Sequence, residues 1–220
     1  MSFVVKTKVV TQPTFAEADT ILNKVEDLFS KADECLYRAR NEVRRGEFFG
    51  ADMVIKSFKV PLRINRFVYA YLRKSKARRS YENSLQLQAL KILTPTPIGY
   101  KEVYRWGLLT ESYYVAHYVP ARYKLEEVLH SGSVPDRQAI MQAFGQFVYC
   151  LHTKGILHRD LSPGNVLVFE VEEGYTFYLV DTNRMRFAPL SEQERYKNFA
   201  MLWAADDDLQ IMVDAYARAA

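Results

Sequence analysis

The stretch "HRDLSPGNVLVF", residues His158 to Phe169, places a carboxylate and an amide five positions apart, directly before an apolar run. Asp160 and Asn165 are separated by Leu-Ser-Pro-Gly, and Ser, Pro and Gly are residues that favour a turn. The run "VLVF" that follows is typical of a short buried strand. Two interpretations fit the stretch: a polar turn that happens to precede a strand, or the catalytic loop of a phosphotransferase.

A second carboxylate follows a second predicted strand. "FYLV" ends at Asp181, after a predicted hairpin that contains Gly174. A strand-end cap is the alternative interpretation of Asp181. Phosphoryl transfer, however, needs a carboxylate near the attacking hydroxyl, together with a carboxylate and an amide oxygen as hard ligands for Mg²⁺. Asp160, Asn165 and Asp181 together provide this set, which is the lower half of a kinase active site.

The upper half of such a site requires a lysine on a strand and a glutamate on the helix that follows. "MVIK" ends in Lys56 and matches the V-A-I-K pattern of the kinase nucleotide lysine. Strand alternation places Lys56 and Val54 on one face, whereas Lys59 faces the other side and is predicted to be solvated. Glu82 is the only acidic residue between Asp52 and Glu102. By elimination it is the predicted partner of Lys56.

A glycine-rich phosphate loop is missing from this chain. In its place the sequence has "RARNEVRRGEFFG", with glycines predicted at turns and four arginines that either cover phosphates or are simply solvated: Arg38, Arg40, Arg44 and Arg45. Two other basic groups also leave alternatives open. "RKSKARRS", Arg73 to Ser80, suits an anionic acceptor or merely starts a helix. Arg184 and Arg186 either hold an acceptor phosphate or pair with nearby acids.

Composition limits the class of protein. The 220 residues, 49% of them hydrophobic, suit one compact domain or two small lobes, and a net charge of +4 is far from that of a dedicated nucleic-acid binder. Cys35 and Cys150 form no metal or redox spacing. No window approaches the ~18 uninterrupted apolar residues of a membrane-spanning helix, and no secretory signal is visible. We therefore expect a cytoplasmic protein that meets a membrane, if at all, from its surface.

The order of predicted elements is sheet-rich first and helical later. A strand at Val4–Val10 precedes one amphipathic helix capped by Thr14 and Glu17, then strands to Val60, a long helical stretch and two further strands. After Pro120 the chain is mainly helical around the polar loop. We predict an α+β, two-lobed protein-kinase-like fold. Its β-rich N-lobe covers residues 1–119 and its short helical C-lobe covers residues 120–220.

Six motifs in order resemble a known family: "VIKSFKVP", "SKARRSYENSLQL", "TPTPIGY", "SYYVAHYV", "HRDLSPGNVLV" and "VDTNRMRF". They look like the lipopolysaccharide core kinases, the Kdo/heptose branch of the protein-kinase-like superfamily. The resemblance implies ATP as phosphate donor, Mg²⁺, and a sugar hydroxyl of the anionic lipid A-core glycolipid as acceptor. It also implies that Asp160 is catalytic, that Asn165 and Asp181 are metal ligands, and that Lys56 is the nucleotide lysine.

The short C-terminal half agrees with a small or glycan acceptor. Only about ten residues separate Asp181 from the last predicted helix, and no A-P-E motif occurs to dock a peptide. The leading hypothesis is an ATP-dependent kinase of an inner-core sugar at the inner membrane surface, with Lys56 fixed by Glu82. The alternatives are a small RIO-like protein Ser/Thr kinase and a kinase-fold scaffold without activity.

Overall fold

The computed structural model describes residues 5–39, 41–58, 74–131 and 133–220. Its contacts divide the chain into two compact units. The first comprises Met1–Leu85 and Pro95–Val119, and the second comprises Gln86–Thr94 and Pro120–Ala220. The predicted domain boundary after residue 119 stays a prediction, and the contacts group residues 86–94 with the second unit. Lys59, Arg40 and Arg73 lie outside the described residues.

The first unit contains a six-stranded antiparallel sheet in the order β1-β5-β6-β4-β3-β2. Its strands are β1 (Val5–Thr11), β2 (Glu34–Arg38), β3 (Asn41–Phe48), β4 (Ala51–Phe58), β5 (Pro97–Arg105) and β6 (Leu108–His117). Gly50 lies in a hairpin turn with a φ of 73°, as expected. The turn predicted at Gly46 is wrong, because Gly46 lies inside β3, where an added Cβ would sit 2.7 Å from the Phe48 ring.

Helices flank both faces of this sheet. α1 (Ala18–Asn23) and α2 (Val25–Lys31) pack their buried residues against Met53 and Ile55 of β4, whereas α3 (Lys76–Ala89) packs near Phe58 on the opposite face. The single helix capped by Thr14 and Glu17 is a wrong prediction. Two consecutive turns precede Ala18, so α1 starts there without a side-chain cap, and Lys24 leaves helical geometry with a ψ of 11°.

The second unit is built from helices and short strands. The helices are α4 (Leu125–His130), α5 (Arg137–Thr153), α6 (Glu192–Phe199) and α7 (Asp206–Arg218). The strands are β7 (Tyr123–Lys124), β8 (Ile156–His158), β9 (Val166–Val171), β10 (Gly174–Leu179) and β11 (Met185–Phe187), which form a β10-β9-β7 sheet and a β11-β8 pair. α5 buries one apolar face, which includes Phe144 and Leu151.

Close packing of α5 on α7 supports the small sheets. A Cβ at Gly145 of α5 would come within 2.2 Å of the Met212 carbonyl oxygen, so only glycine allows this approach. The last predicted helix is two helices, because the chain turns at Ala200–Leu202 and Trp203 adopts a φ of 47°. The α+β class, with a β-rich first half and a helical second half, is confirmed.

Candidate active site

His158 ends β8 and is completely buried. Its Nε2 lies 3.0 Å from the Val180 carbonyl oxygen, and its Nδ1 lies 3.2 Å from the Asp160 backbone nitrogen. Because a carbonyl only accepts, Nε2 carries the proton and Nδ1 accepts from Asp160. Burial lowers the pKa of His158, so the ring is neutral at pH 7. His158 is thus a neutral side chain that connects the Asp160 loop to Val180, the residue preceding Asp181.

Asn165 closes the loop that Asp160 opens. Its side-chain Nδ2 donates to the Asp160 carbonyl oxygen at 2.9 Å, and its own carbonyl oxygen accepts from the Val180 nitrogen at 3.0 Å. A 3₁₀ turn at Pro163–Asn165 provides the backbone geometry that the Ser-Pro-Gly sequence favours. Since Nδ2 is used internally, Oδ1 is the amide atom suited to act as a ligand.

Asp181 follows β10 in the left-handed region, with φ 52° and ψ 48°. Aspartate tolerates this region better than most residues, yet it costs about 1–2 kcal/mol per residue, and such strain is commonest at functional sites. The Asn183 side-chain amide donates to Asp181 Oδ1 and orients the carboxylate. Val180, the residue before Asp181, donates its backbone N–H to the Asn165 carbonyl oxygen. Asp181 therefore directly follows a residue that is hydrogen-bonded to the loop.

The structure therefore brings Asp160, Asn165 and Asp181 together in the second unit. Their oxygens are hard donors of the kind that Mg²⁺ prefers. Among the described residues, no three His, Cys, Asp or Glu side chains form a metal-binding group. A cation here would take two protein ligands and complete its shell with substrate oxygens and water, a common arrangement for Mg²⁺.

Arg184 places a positive charge against Asp160. Its Nη1 lies 3.3 Å from Asp160 Oδ2, and the Arg184 side chain is 52% exposed. The Arg184 carbonyl oxygen also accepts from the Arg159 nitrogen at 2.9 Å. Arg186 instead pairs with Glu194 at 2.7 Å, and this hydrogen bond lowers the Glu194 pKa to about 2. In this structure both arginines pair with nearby acids.

A buried chain of hydrogen-bonded polar side chains supports the loop, and it was not predicted from the sequence. Asn198 of α6 donates from Nδ2 to the His158 carbonyl oxygen at 2.9 Å, and its Oδ1 lies 3.1 Å from His152 Nε2. His152 Nδ1 lies 3.1 Å from the Tyr216 hydroxyl. Because Asn198 Oδ1 only accepts, His152 donates to it and accepts from Tyr216. Burial lowers the pKa of His152, which is also neutral.

Because of these two buried histidines, we expect low pH to destabilise the second unit. Folding lowers both pKa values below the unfolded value of about 6.5, so the unfolded chain binds more protons. The free energy of unfolding should reach its full value above about pH 7 and should decrease as the pH drops below about 6.5. Urea denaturation at about pH 8 and about pH 5.5 measures this difference.

The matched variants are His152→Gln, which keeps a buried amide donor without a titrating ring, and His130→Gln at an exposed position of α4. His152→Gln should reduce the dependence of unfolding free energy on pH, and His130→Gln should leave it unchanged. An identical pH dependence in wild type and His152→Gln would contradict the assignment.

In the first unit, Lys56 lies on β4 on the face opposite to Ile55. Its ammonium group lies 5.2 Å from the Phe58 ring centroid, and Phe58 shares a small buried cluster with Ala77 and Tyr81 of α3. Lys56 therefore points to the side of the sheet on which α3 packs. This is the side on which the predicted partner, Glu82, would have to lie.

Glu82 is bound by two other cations. Its Oε1 accepts from Arg78 Nε and its Oε2 accepts from Lys74 Nζ, both at 2.7 Å. Burial opposes ionisation of Glu82, but these hydrogen bonds outweigh it and lower its pKa. The Lys56–Glu82 pair stays a prediction. Arg78 belongs to the basic run, and its contact with Glu82 lies within α3.

Three of the four arginines that were candidates for covering phosphates lie in the described residues, and each of them contacts an acid. Arg38 and Arg44 both bind Glu42, at 2.8 and 2.7 Å. Arg45 donates to Asp52 at 2.7 Å and stacks 3.8 Å from the Tyr118 ring centroid. A role for these three residues in covering phosphates requires that they exchange partners when nucleotide binds.

Residues 56–213 match the family model described as "Lipopolysaccharide kinase (Kdo/WaaP) family". A 3-deoxy-D-manno-octulosonic acid kinase of Pasteurella multocida (strain Pm70) is 31% identical over 130 residues, which are 56% of this chain and 51% of that protein. The match thus spans about half the length of that relative.

A solved structure described as "WaaP in complex with acyl carrier protein" superposes with a TM-score of 0.64 at 17% identity, over 96% of this chain and 89% of that one. At this identity the likeness concerns the fold. The predicted protein-kinase-like fold is confirmed by it, and the resemblance noted in the sequence is confirmed by the family match.

Proposed function

Because the chain belongs to the lipopolysaccharide kinase (Kdo/WaaP) family, we propose that it transfers the γ-phosphate of ATP to a hydroxyl of an inner-core sugar, Kdo or heptose. The observation that carries this proposal is the hydrogen-bonded set Asp160, Asn165 and Asp181, joined through His158 and Val180. Carboxylate and amide oxygens fixed in this way suit the positioning and charge stabilisation on which phosphoryl transfer depends.

Asp160 is assigned to the acceptor hydroxyl. Its backbone is held at both the nitrogen and the carbonyl oxygen, so its carboxylate is presented from a fixed loop. In the reaction the sugar oxygen forms a bond to the γ-phosphorus while the bond to the β-phosphate oxygen breaks and ADP leaves. Asp160 orients the hydroxyl and accepts its proton, which then passes to solvent.

Asn165 Oδ1 and the Asp181 carboxylate are the atoms that would hold Mg²⁺. When bound, the ion supplies positive charge against the phosphate oxygens. Asn165 Nδ2 and Asn183 keep the two ligand groups oriented, each by a hydrogen bond to the loop or to the carboxylate itself. Lys56 is assigned to the α/β-phosphates, with Glu82 as its partner once Glu82 shares or exchanges Lys74 and Arg78.

Arg184 is assigned to the transferring phosphoryl group. The residues between Asp160 and Asn165 carry no charge. Arg184 lies three residues after Asp181 and contacts the Asp160 carboxylate. It is therefore close in sequence to the residue assigned to Mg²⁺ and in contact with the residue assigned to the acceptor hydroxyl. An arginine supplied within the same chain stabilises the transferring phosphoryl group in some GTPases.

The acceptor is proposed to be an anionic glycolipid, the sugar portion of lipid A-core, met at the inner surface of the cytoplasmic membrane. No helix among the described residues has the length and apolar character needed to cross a bilayer. Contact with the membrane would therefore be peripheral for this part of the chain. Proximity to the surface would bring the sugar hydroxyl to a protein that binds ATP from the aqueous side.

Mass spectrometry of lipid A-core from cells with and without the protein tests the proposal, with cells expressing Asp160→Asn as control. A mass difference of one phosphate, present only with the wild type, is the expected result. Transfer of labelled phosphate from ATP to purified protein but not to the glycolipid would favour a RIO-like protein kinase. The absence of transfer to any acceptor would favour a scaffold.

Asp181→Ala and Asn165→Ala are expected to weaken ATP binding in the presence of Mg²⁺ more than in its absence. The reason is that hard oxygen ligands act on the cation rather than on the adenine. Calorimetric titration of ATP, with Mg²⁺ and with chelator, measures both affinities. Asp207→Ala, an exposed acid of α7, is the control and should bind ATP like wild type. Equal losses with and without Mg²⁺ would remove both residues from the metal site.

A further inference from the structure

Two arginines lie opposite each other directly beside Asp160. β8 and β11 pair His158 with Met185, and the Arg159 nitrogen donates to the Arg184 carbonyl oxygen at 2.9 Å. This hydrogen bond continues the antiparallel pairing by one residue and places Arg159 opposite Arg184. The Cα atoms of two residues paired in this way are about 5.5 Å apart. Two guanidinium groups are therefore attached to neighbouring backbone positions, next to the residue assigned to the acceptor hydroxyl.

The two arginines differ in their partners. The Arg184 guanidinium contacts the Asp160 carboxylate. Arg159 is exposed, and in the part of the chain that the structure describes its guanidinium has no ion-pair or hydrogen-bond partner. Other arginines of the second unit each pair with a carboxylate: Arg122 with Glu170, Arg137 with Asp208 and Arg186 with Glu194. Within the described residues, Arg159 therefore adds a positive charge beside Asp160 that no acid of the chain pairs with.

Folding alone does not account for an arginine at position 159. Like charges directly opposite each other in an antiparallel pair are destabilising. Strand alternation places the Arg159 side chain on the face opposite to that of the completely buried His158, so it adds nothing to the core. An uncharged polar residue would suit this exposed position without the repulsion from Arg184. The position therefore indicates a negatively charged group that comes from outside the chain.

We propose that Arg159 binds an anionic group of the acceptor, a carboxylate or a phosphate on the sugar that is phosphorylated or on its neighbour. A guanidinium donates two parallel hydrogen bonds to either group. Arg184 contacts Asp160 through its side chain and Arg159 through its backbone, so an acceptor whose hydroxyl lies at Asp160 brings such a group within reach of Arg159. This inference rests on the proposed function for the acceptor hydroxyl. It narrows the acceptor to an acidic or phosphorylated glycan, because a neutral sugar would leave Arg159 without a partner.

Arg159→Met is expected to raise the Michaelis constant for lipid A-core glycolipid about tenfold to a hundredfold, the effect of losing one charged hydrogen-bonded pair. The values of kcat and of the Michaelis constant for ATP should stay close to wild type, because the lost contact is made equally in the ground state and the transition state. Arg159→Lys keeps the charge without the planar pair of donors and should recover part of the loss.

Arg218→Met is the matched control, since it removes another exposed arginine of the second unit, in the last turn of α7. It should have the kinetic constants of wild type. A Michaelis constant for the glycolipid that is the same in Arg159→Met and wild type would overturn the proposal.

Chemically altered acceptors identify the anionic group. Carbodiimide-promoted reduction converts the sugar carboxylates of the glycolipid to alcohols, whereas hydrofluoric acid removes its phosphates. On the acceptor that lacks the group bound by Arg159, the difference between wild type and Arg159→Met should disappear. Disappearance on the reduced acceptor assigns Arg159 to a carboxylate, and disappearance on the dephosphorylated acceptor assigns it to a phosphate. A difference that persists on an acceptor treated in both ways would contradict the proposal.

Two measurements exclude other roles of Arg159. Urea denaturation should give Arg159→Met a free energy of unfolding equal to or above that of wild type, because the repulsion from Arg184 is removed. A lower free energy of unfolding together with a lower kcat would make Arg159 structural and reject the proposal. Intact-protein mass spectrometry should show no phosphate added to the chain by ATP. An Arg159→Met defect confined to phosphorylated protein would mean that Arg159 binds a phosphorylated side chain of its own, again against the proposal.

Binding without ATP distinguishes this inference from the proposed function. The probe is the deacylated, water-soluble core oligosaccharide, and its affinity for wild type and Arg159→Met is measured by calorimetry. If Arg159→Met binds it about tenfold or more weakly while neither protein phosphorylates any sugar, the proposed function fails and the anion site stands. If wild type phosphorylates the sugar and both proteins bind the oligosaccharide equally, the anion site fails and the proposed function stands.

Discussion

Asp160→Asn is expected to reduce phosphate transfer by about 10²–10⁴-fold while the fold and ATP affinity stay close to those of wild type. Asparagine keeps the size of the side chain, and the contacts that hold the loop use the Asp160 backbone rather than its carboxylate. What disappears is the negative oxygen that orients the sugar hydroxyl and takes its proton. Single-turnover transfer of labelled phosphate to the glycolipid, beside calorimetric ATP binding, measures the two quantities.

The matched control is Asp207→Asn, which removes an exposed carboxylate from the first turn of α7 in the same unit. It should transfer phosphate like wild type. Activity of Asp160→Asn above about a hundredth of wild type would contradict the catalytic assignment. A loss of ATP affinity equal to the loss of transfer would instead give Asp160 a role in nucleotide binding.

The second large effect concerns Arg184. Arg184→Met is expected to lower kcat by about 10²–10³-fold, the range seen when one donor to a developing charge is removed. The Michaelis constants for ATP and glycolipid should change little, since the assigned contact strengthens in the transition state. Stability should be nearly unchanged, because an exposed ion pair contributes only about 0–1 kcal/mol. Steady-state kinetics and urea denaturation measure these quantities.

Arg186→Met is the control, since Arg186 is two residues away and binds Glu194 rather than Asp160. Addition of millimolar guanidinium ion should partly restore kcat to an Arg184→Gly variant, and a structural role would not produce this rescue. A raised Michaelis constant for the acceptor with normal kcat would place Arg184 in the acceptor site. Loss of kcat together with a lower free energy of unfolding and no rescue would make Arg184 structural.

The parts of the site that could be predicted are those determined by local sequence. Asp160 and Asn165 are five positions apart in one loop, so a turn between them fixes their relation, and Asp181 follows directly from the end of β10. The Asn198–His152 chain could not be predicted. Its hydrogen bonds join residues 40 and 46 positions apart, and Asn198 looks like any polar residue of an amphipathic helix.

Charged residues of the first unit were harder to interpret for a related reason. Spacing shows that Arg38, Arg44 and Arg45 lie near a turn, but not which acid each one meets across the sheet. Glu42, Glu34 and Asp52 lie opposite or beside them only once the strands pair. The same applies to Glu82. It was predicted to pair with Lys56 by elimination, but Lys74 and Arg78 compete for its carboxylate.

The Arg184–Asp160 ion pair also affects whether ATP is hydrolysed by water instead of phosphorylating the sugar. Water is always present as a rival nucleophile, and a carboxylate that faces solvent would activate water as readily as a sugar. With a guanidinium 3.3 Å from its oxygen, the Asp160 carboxylate is occupied by an ion pair until an acceptor displaces that contact. Idle ATP hydrolysis would then be suppressed by an interaction within the chain itself. The ratio of acceptor-free ATP hydrolysis to sugar phosphorylation is the quantity that reports it, and it should rise when Arg184 is shortened.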